Sequence, residues 1–280
     1  MCNKLRGYAA AAAFLIGLVL FAAPDLLIRR FWNWGFNAPP KTRRSTETLW
    51  QFRWAERFMY VTAFIMGMNL RFKYEGDCVA TEPHIILYLH RTTMDPLLAA
   101  KVIQDCRLGH TLWIVKEEMR KVFGFGGVLE RSGYAFVFRA KKTVDTLRIL
   151  AMTRLAKEDG ANVAFFPEGK RHDGIVKDGA RFWNVGNPKM GGFKMICNAL
   201  PDYPIMIVCL DWGKMEGGKT ILDGDAMIGR TVQVTAWQEE NPGADGAGEF
   251  LEGVWTKMDE MIEDRSKGTD PSTQDVLAQV

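Results

Sequence analysis

Five short stretches of this 280-residue chain are apolar almost throughout: His84–Leu89 (HIILYL), Thr111–Lys116 (TLWIVK), Tyr134–Phe138 (YAFVF), Ala161–Phe166 (ANVAFF) and Pro204–Leu210 (PIMIVCL). A strand with one wet face alternates apolar and polar residues. A strand without that alternation must be covered on both faces, which calls for a largely parallel sheet with helices on either side. The intervening sequence supplies such helices. Pro96–Cys106 reads as one, and Val144, Leu147, Leu150, Ala151 and Leu155 recur at helical spacing in another. Thr231–Trp237 adds a candidate strand. Phe250, Leu251, Val254, Trp255, Met258, Met261 and Ile262 mark an amphipathic helix beyond it. The expected class is α/β: a mixed, largely parallel central sheet flanked by helices over residues 72–268, followed by a polar tail at 269–280.

The first 71 residues read differently, as an N-terminal membrane-associated helical segment. Residues 7–23 carry no charge, which is the short end of a spanning helix. Pro24 and Asp25 interrupt the run before Leu26-Leu27-Ile28 and Arg29-Arg30. A cleaved signal peptide shares this pattern, but a retained helix is expected because a second apolar segment follows. That segment, Phe58–Leu70, is bracketed by Arg57 and Arg71 and is too short to cross a bilayer comfortably. It is either a core helix or one that dips into a leaflet. Between the two lie Phe31, Trp32, Trp34, Phe36, Trp50, Phe52 and Trp54 among arginines, a composition suited to the headgroup level or, alternatively, to core aromatics beneath a loop. Residues 1–57 hold nine basic and three acidic groups, +6, whereas the rest of the chain sums to −3. Basic charge concentrated with aromatics points to an anionic membrane surface as partner and not to nucleic acid. Lys4 and Arg6 precede the first helix and the larger cluster, Arg29, Arg30, Lys41, Arg43 and Arg44, follows it, which favours the rest of the chain facing the cytoplasm, with a hairpin whose two ends are both cytoplasmic as the alternative. Five dispersed cysteines without a CxxC spacing suit a reducing compartment.

Three of the apolar runs end in polar turns. HIILYL delivers His90-Arg91-Thr92-Thr93-Met94-Asp95 and then Pro96. Residues five apart face one another neither on a strand nor on a regular helix, so His90 and Asp95 meet only if the chain turns between them. Asp is a favoured N-cap and Pro a favoured first helical residue, so Asp95-Pro96 supplies that turn. A His at the carboxyl end of a strand, facing an Asp at a helix start, has the makings of a base and its orienting group. Phe166-Pro167-Glu168-Gly169-Lys170-Arg171 follows the strand ANVAFF, and Arg139, Lys141 and Lys142 follow YAFVF. Glu168 is a candidate site carboxylate, Gly169 permits close backbone approach, and the basic groups suit a phosphate. Read singly, each turn is equally compatible with a solvated loop. No GxxxxGK[ST] or GxGxxG follows a strand, and no GxSxG is present.

Together these residues resemble the glycerolipid acyltransferases, the superfamily of 1-acylglycerol-3-phosphate acyltransferases (PlsC-like). His90–Asp95 resembles its HX4D motif and Phe166-Pro167-Glu168-Gly169 its FPEG motif. Gly133–Arg139 resembles the intermediate motif, 43 residues beyond His90 and 35 before Glu168. Tyr203-Pro204-Ile205 matches a final proline-containing block. The resemblance spans roughly residues 60–240. Leu89 stands where the family often has Asn, and Lys170 where Thr is common. His90-Arg91-Thr92 is similar to the variants acting on lysophospholipids with larger headgroups.

The resemblance implies acyl transfer from acyl-CoA or acyl-carrier protein, as co-substrate and with no cofactor, to the free hydroxyl of a lysophospholipid such as lysophosphatidate. It makes His90 the general base and Asp95 its orienter, and it assigns substrate binding to Arg139, Glu168, Gly169, Lys170 and Arg171. Two other readings stay open on the residues alone. One is a membrane-bound metal-dependent phosphatase or esterase using His90, Asp95, Glu168 and His172-Asp173, although no recognised metal-ligand spacing is present. The other is a non-catalytic lipid-binding protein of the same fold.

Overall fold

The computed structural model describes residues 2–76, 78–122, 125–172, 181–213 and 227–267. Helix α1 (Cys2–Gly17) continues through a π-helical turn (Leu18–Ala22) into α2 (Ala23–Gly35), and α3 (Pro40–Met66) returns alongside. The strands and later helices are β1 (Asn69–Tyr74), β2 (Ile85–Tyr88), α4 (Asp95–Asp105), β3 (Thr111–Lys116), α5 (Gly126–Arg131), β4 (Ala135–Val137), α6 (Lys142–Asp159), β5 (Asn162–Phe165), α7 (Met190–Ala199), β6 (Ile205–Asp211), β7 (Thr231–Glu239) and α8 (Gly243–Lys267).

All five uninterrupted apolar runs are strands of one seven-stranded sheet, ordered β1-β7-β6-β2-β5-β3-β4. β2 lies between β5 and β6 and is parallel to both. β3 is parallel to β5 and to β4. β7 runs antiparallel to β6, and β1 parallel to β7, so the sheet is mixed and mostly parallel as expected. Every residue of β2 has zero exposure, which requires cover on both faces. Because β2 to β6 are parallel, their carboxyl ends share one edge of the sheet, where ligands of open α/β folds bind.

β1 takes in Asn69–Arg71, so the sheet begins ahead of the expected boundary at 71/72. Its alternation, with Leu70 and Phe72 against Arg71 and Lys73, is that of an edge strand, but it abuts the apolar end of α3 and merges with it in the sequence. Of the second apolar segment, Phe58–Leu70, the part Phe58–Met66 forms the last third of α3, and Asn69-Leu70 already belong to β1. One side, Met59, Thr62, Ala63 and Met66, is buried, while Tyr60, Val61 and Phe64 are exposed. It is therefore a core helix with an apolar outer stripe. The expected polar tail at 269–280 lies outside the described residues.

Pro24 does not end the first helix. The π turn just before it absorbs the missing N–H, with Ala23 N–H donating to Leu18 O. Leu5–Gly35 is thus one helix long and apolar enough to cross a membrane, and only 11% of its most apolar stretch is buried. It is joined to α3 by the Trp50 indole donating to Ala22 O (3.1 Å), Trp54 to Asp25 (2.9 Å) and a two-pronged Arg30–Glu47 pair (2.8 and 3.1 Å). The two helices approach closely at Gly17, where a Cβ would sit 2.6 Å from the Phe58 ring. Arg44 pairs through two bonds with Asp159 (2.7 and 2.8 Å), tying α3 to α6.

Candidate active site

The turn after β2 brings His90 and Asp95 into contact, with Nδ1 of His90 3.0 Å from Oδ2 of Asp95. The means differ from the sequence expectation. Asp95 is not the N-cap of α4; Met94 holds that place, Asp95 opens the helix and Pro96 follows. The Asp95 carboxylate turns back on its own approach loop instead. Oδ2 accepts the N–H of Arg91 (2.5 Å) and of Thr92 (2.7 Å) as well as His90. Oδ1 accepts the hydroxyl of Thr92 (2.9 Å) and the indole N–H of Trp212 (2.9 Å). Asp95 has no exposed surface, and five donors make its burial as a carboxylate tolerable.

The His90 ring is one-fifth exposed and lies on the Phe166 ring, stacked at 4.2 Å between centroids. Beneath it, Phe166 leans on Tyr88 and Trp113. Among the described residues no side chain bonds Nε2, the nitrogen away from Asp95. Because the Asp95 oxygen is an acceptor, the tautomer this contact favours has the proton on Nδ1.

The turn after β5 supports the same histidine from behind. Glu168 is 2% exposed, and its carboxylate accepts the backbone N–H of His90 (2.9 Å) and of Gly186 (2.6 Å). Burial pushes its pKa up to about 8, against the opposing pull of those two N–H groups and of Arg91. Its contacts are therefore with the backbone, and it links three loops. Pro167 and Gly169 form the turn, Gly169 N–H donating to Phe166 O (3.0 Å). Gly169 has φ +69°, and a Cβ there would meet Nζ of Lys189 at 3.0 Å. Lys170 is exposed and Arg171 half-buried, next to His172, whose N–H donates to His90 O (2.8 Å). Asp173 lies outside the described residues.

Arg139 reaches the same edge but not His90. It follows β4, three strands from β2, so their ends stand about 14 Å apart at ~4.8 Å per strand. Its backbone is left-handed (φ +67°), held there by the Asp145 carboxylate, which accepts the N–H of Phe138 and of Arg139 (both 2.7 Å). Lys141 lies over the Phe138 ring at 4.8 Å. Gly133, at the head of this block, is a packing position: a Cβ there would sit 2.5 Å from Leu155.

Three residues with direct structural roles had no reading as such from sequence. Arg91 is 4% exposed; its guanidinium donates to Asn184 O and, at 3.4 Å, to Gly213 O, so it points inward, away from any headgroup. Thr92 and Trp212 both donate to Asp95. Thr92 sits inside a motif whose intervening positions looked free. Trp212 follows a buried strand in the run Asp211-Trp212-Gly213, and the strand-end criterion that flagged His90 and Glu168 applies to it equally.

A family model described as Acyltransferase matches residues 71–210, half of the chain, and the chain belongs to that family and is an acyltransferase. The fold is similar to the crystal structure of the 1-acyl-sn-glycerophosphate (LPA) acyltransferase PlsC from Thermotoga maritima, with a TM-score of 0.64, 17% identity and 94% of each chain covered. At that identity the likeness is one of fold, and it extends to the N-terminal helices. A comparison with curated proteins returns no match.

Proposed function

We propose that this protein is a membrane-bound glycerolipid O-acyltransferase. It moves a fatty acyl group from acyl-CoA or acyl-carrier protein to the free hydroxyl of a lysophospholipid, with lysophosphatidate, giving phosphatidate, as the leading acceptor. The observation that carries this reading is the His90–Asp95 contact, with Nε2 of His90 directed away from Asp95 at the carboxyl edge of the sheet. The name of the Thermotoga maritima relative supports a lysophosphatidate acceptor.

In this reading Nε2 takes the proton of the acceptor hydroxyl as its oxygen attacks the thioester carbonyl. Asp95 holds Nδ1–H and stabilises the imidazolium that forms. The tetrahedral intermediate collapses by breaking the C–S bond, and the imidazolium returns its proton to the departing thiolate. A base so placed contributes about 10²–10⁴ in rate. Lys170, Arg171 and Arg139 hold the acceptor's phosphate. Glu168 and Gly169 shape the acceptor site through the turn they form. No cofactor is assigned.

A lysolipid is delivered from the bilayer and the thioester from water. The helix Leu5–Gly35 carries Phe31, Trp32 and Trp34, with Phe36 directly after it, all more than half exposed, and its basic neighbours suit anionic lipid. We assign the N-terminal helices to the membrane and the sheet to its cytoplasmic side.

The test is turnover in detergent with oleoyl-CoA and a mixture of lysophospholipids, products read by mass spectrometry, with His90→Ala in parallel. One new diacyl lipid, lost in His90→Ala, is expected. Equal product from His90→Ala overturns the base assignment.

A further inference from the structure

Four of the five hydrogen bonds to Asp95 come from residues 90–92, its own turn. The fifth comes from another strand. Nε1–H of Trp212, which follows β6, donates to Oδ1 at 2.9 Å. Trp212 is 1% exposed, and the main chain at Trp212 and Gly213 is held at three points. Arg230 donates to Trp212 O (3.3 Å), Gly213 N–H donates to Asp211 (2.6 Å), and Arg91 donates to Gly213 O (3.4 Å). Asp211 is in turn gripped by Arg265 (2.6 Å). A close-packed indole on an anchored backbone has one orientation.

The chemistry of the two donors on Oδ1 differs. The Thr92 hydroxyl rotates and serves as donor or acceptor, whereas an indole N–H is a donor only. Trp212 therefore pins Oδ1 from a fixed direction, which sets the plane of the carboxylate and leaves Oδ2 facing His90. We infer that Trp212 is a positioning residue for acyl transfer. It sets the rotation of the Asp95 carboxylate and moderates the charge that the carboxylate presents to the imidazolium. This inference rests on His90 acting as the base.

Trp212→Phe keeps most of the ring and removes the N–H. It should lower kcat about tenfold, because a carboxylate no longer pinned is aligned with Nδ1 less of the time, a loss that outweighs its fuller charge opposite the imidazolium, with KM for both substrates little changed. A carboxylate with one donor fewer holds the imidazolium more tightly, so the acid limb of kcat/KM should move to higher pH by about half a unit. The other ionisable groups around the pair stay in place: Glu168 behind His90, Arg91 in the same turn, Arg171 and His172 after β5, and Cys209, Asp211 and Arg230 beside Trp212.

The decisive comparison repeats Trp212→Phe in an Asp95→Asn background. There the amide NH2 faces the indole N–H, donor against donor, so removing the indole N–H should leave kcat unchanged or raise it. A merely structural tryptophan lowers kcat by the same factor in both backgrounds, and that result overturns the inference. So does a folded Trp212→Phe with unaltered kcat and acid limb. If the phenylalanine variant does not fold, benzothienylalanine at position 212 keeps the bicyclic shape and lacks the N–H, and the same outcomes apply. Turnover surviving His90→Ala refutes the underlying base assignment itself, whatever Trp212→Phe does.

Discussion

Asp95→Asn tests the dyad most directly. The asparagine has one acceptor oxygen where the aspartate has two. Placed at Oδ2, that oxygen keeps three donors, the N–H groups of Arg91 and Thr92 and Nδ1–H of His90. The NH2 then replaces Oδ1. The Thr92 hydroxyl, which already accepts the Met94 N–H, can turn to accept from it as well, so the fixed Trp212 N–H and the rotatable Thr92 O–H lose Oδ1 as acceptor. The flipped rotamer would orphan three donors, so the first arrangement prevails. His90 thus keeps its orientation and tautomer and loses only the charge opposite its imidazolium. Two unit charges about 4 Å apart interact by about 4 kcal/mol at an effective dielectric of ~20. At 1.36 kcal/mol per decade this is about 10³ in kcat. The assay is release of CoA thiol from oleoyl-CoA with lysophosphatidate, with phosphatidate confirmed by mass spectrometry. KM should change little. A kcat within tenfold of the parent protein refutes the argument, because it means Asp95 contributes orientation alone.

Three further expectations concern the turn behind the dyad and the first helix. Glu168 has its pKa raised to about 8, above the ordinary 4.5, so the folded chain binds more protons than the unfolded one between those values. Its contribution to stability is therefore greatest below 4.5 and is lost as pH rises toward 8, with a slope of at most about 1.4 kcal/mol per unit. Glu168→Gln should flatten the urea-midpoint profile from pH 5 to 8, and unchanged slopes would count against this account. Gly169→Ala forces a side chain into a left-handed backbone and should cost about 1–2 kcal/mol, seen as a thermal midpoint lower by about 2–6 °C. Lys189 is a flexible neighbour, so Lys189→Ala should not restore that stability; full recovery would place the cost in the contact and not in the backbone. Phe31→Asp with Trp34→Asp, at positions 68% and 74% exposed, should weaken co-sedimentation with anionic vesicles at least tenfold while leaving turnover of detergent-dispersed substrate intact.

The N-terminal region divides along a physical line that local composition does not mark. Both of its apolar segments are helical, but α3 buries Trp50, Phe52, Met59 and Met66, whereas the first helix leaves most of its apolar surface open. Composition identified apolar helices among basic aromatics. Which of them faces protein is decided by tertiary packing: α3 lies against the rest of the fold, where Arg44 pairs with Asp159, 115 residues away, while the first helix is joined to α3 by the Arg30–Glu47 pair.

Elements were legible wherever burial repeats along the chain. The five uninterrupted runs became β2 to β6 because covering both faces of a strand demands apolar residues at every position, and such a demand is written locally. The turns at His90, Glu168 and Arg139 were visible for the same reason, since polar residues begin where the cover ends. β1 was missed because its alternation abuts the apolar end of α3. The left-handed backbone of Arg139 was invisible because its cause is a carboxylate six residues away on α6. Asp95 has the residue type of an N-cap, and only the folded loop turned it toward His90 instead. Most of all, strand order belongs to the tertiary structure. β2 lies between β5 and β6, and that placement brings Glu168 to His90 across 78 residues and Trp212 to Asp95 across 117. Local pattern states that a strand is buried, but its neighbours are chosen by the packing of the whole sheet, and those neighbours set the geometry of the dyad.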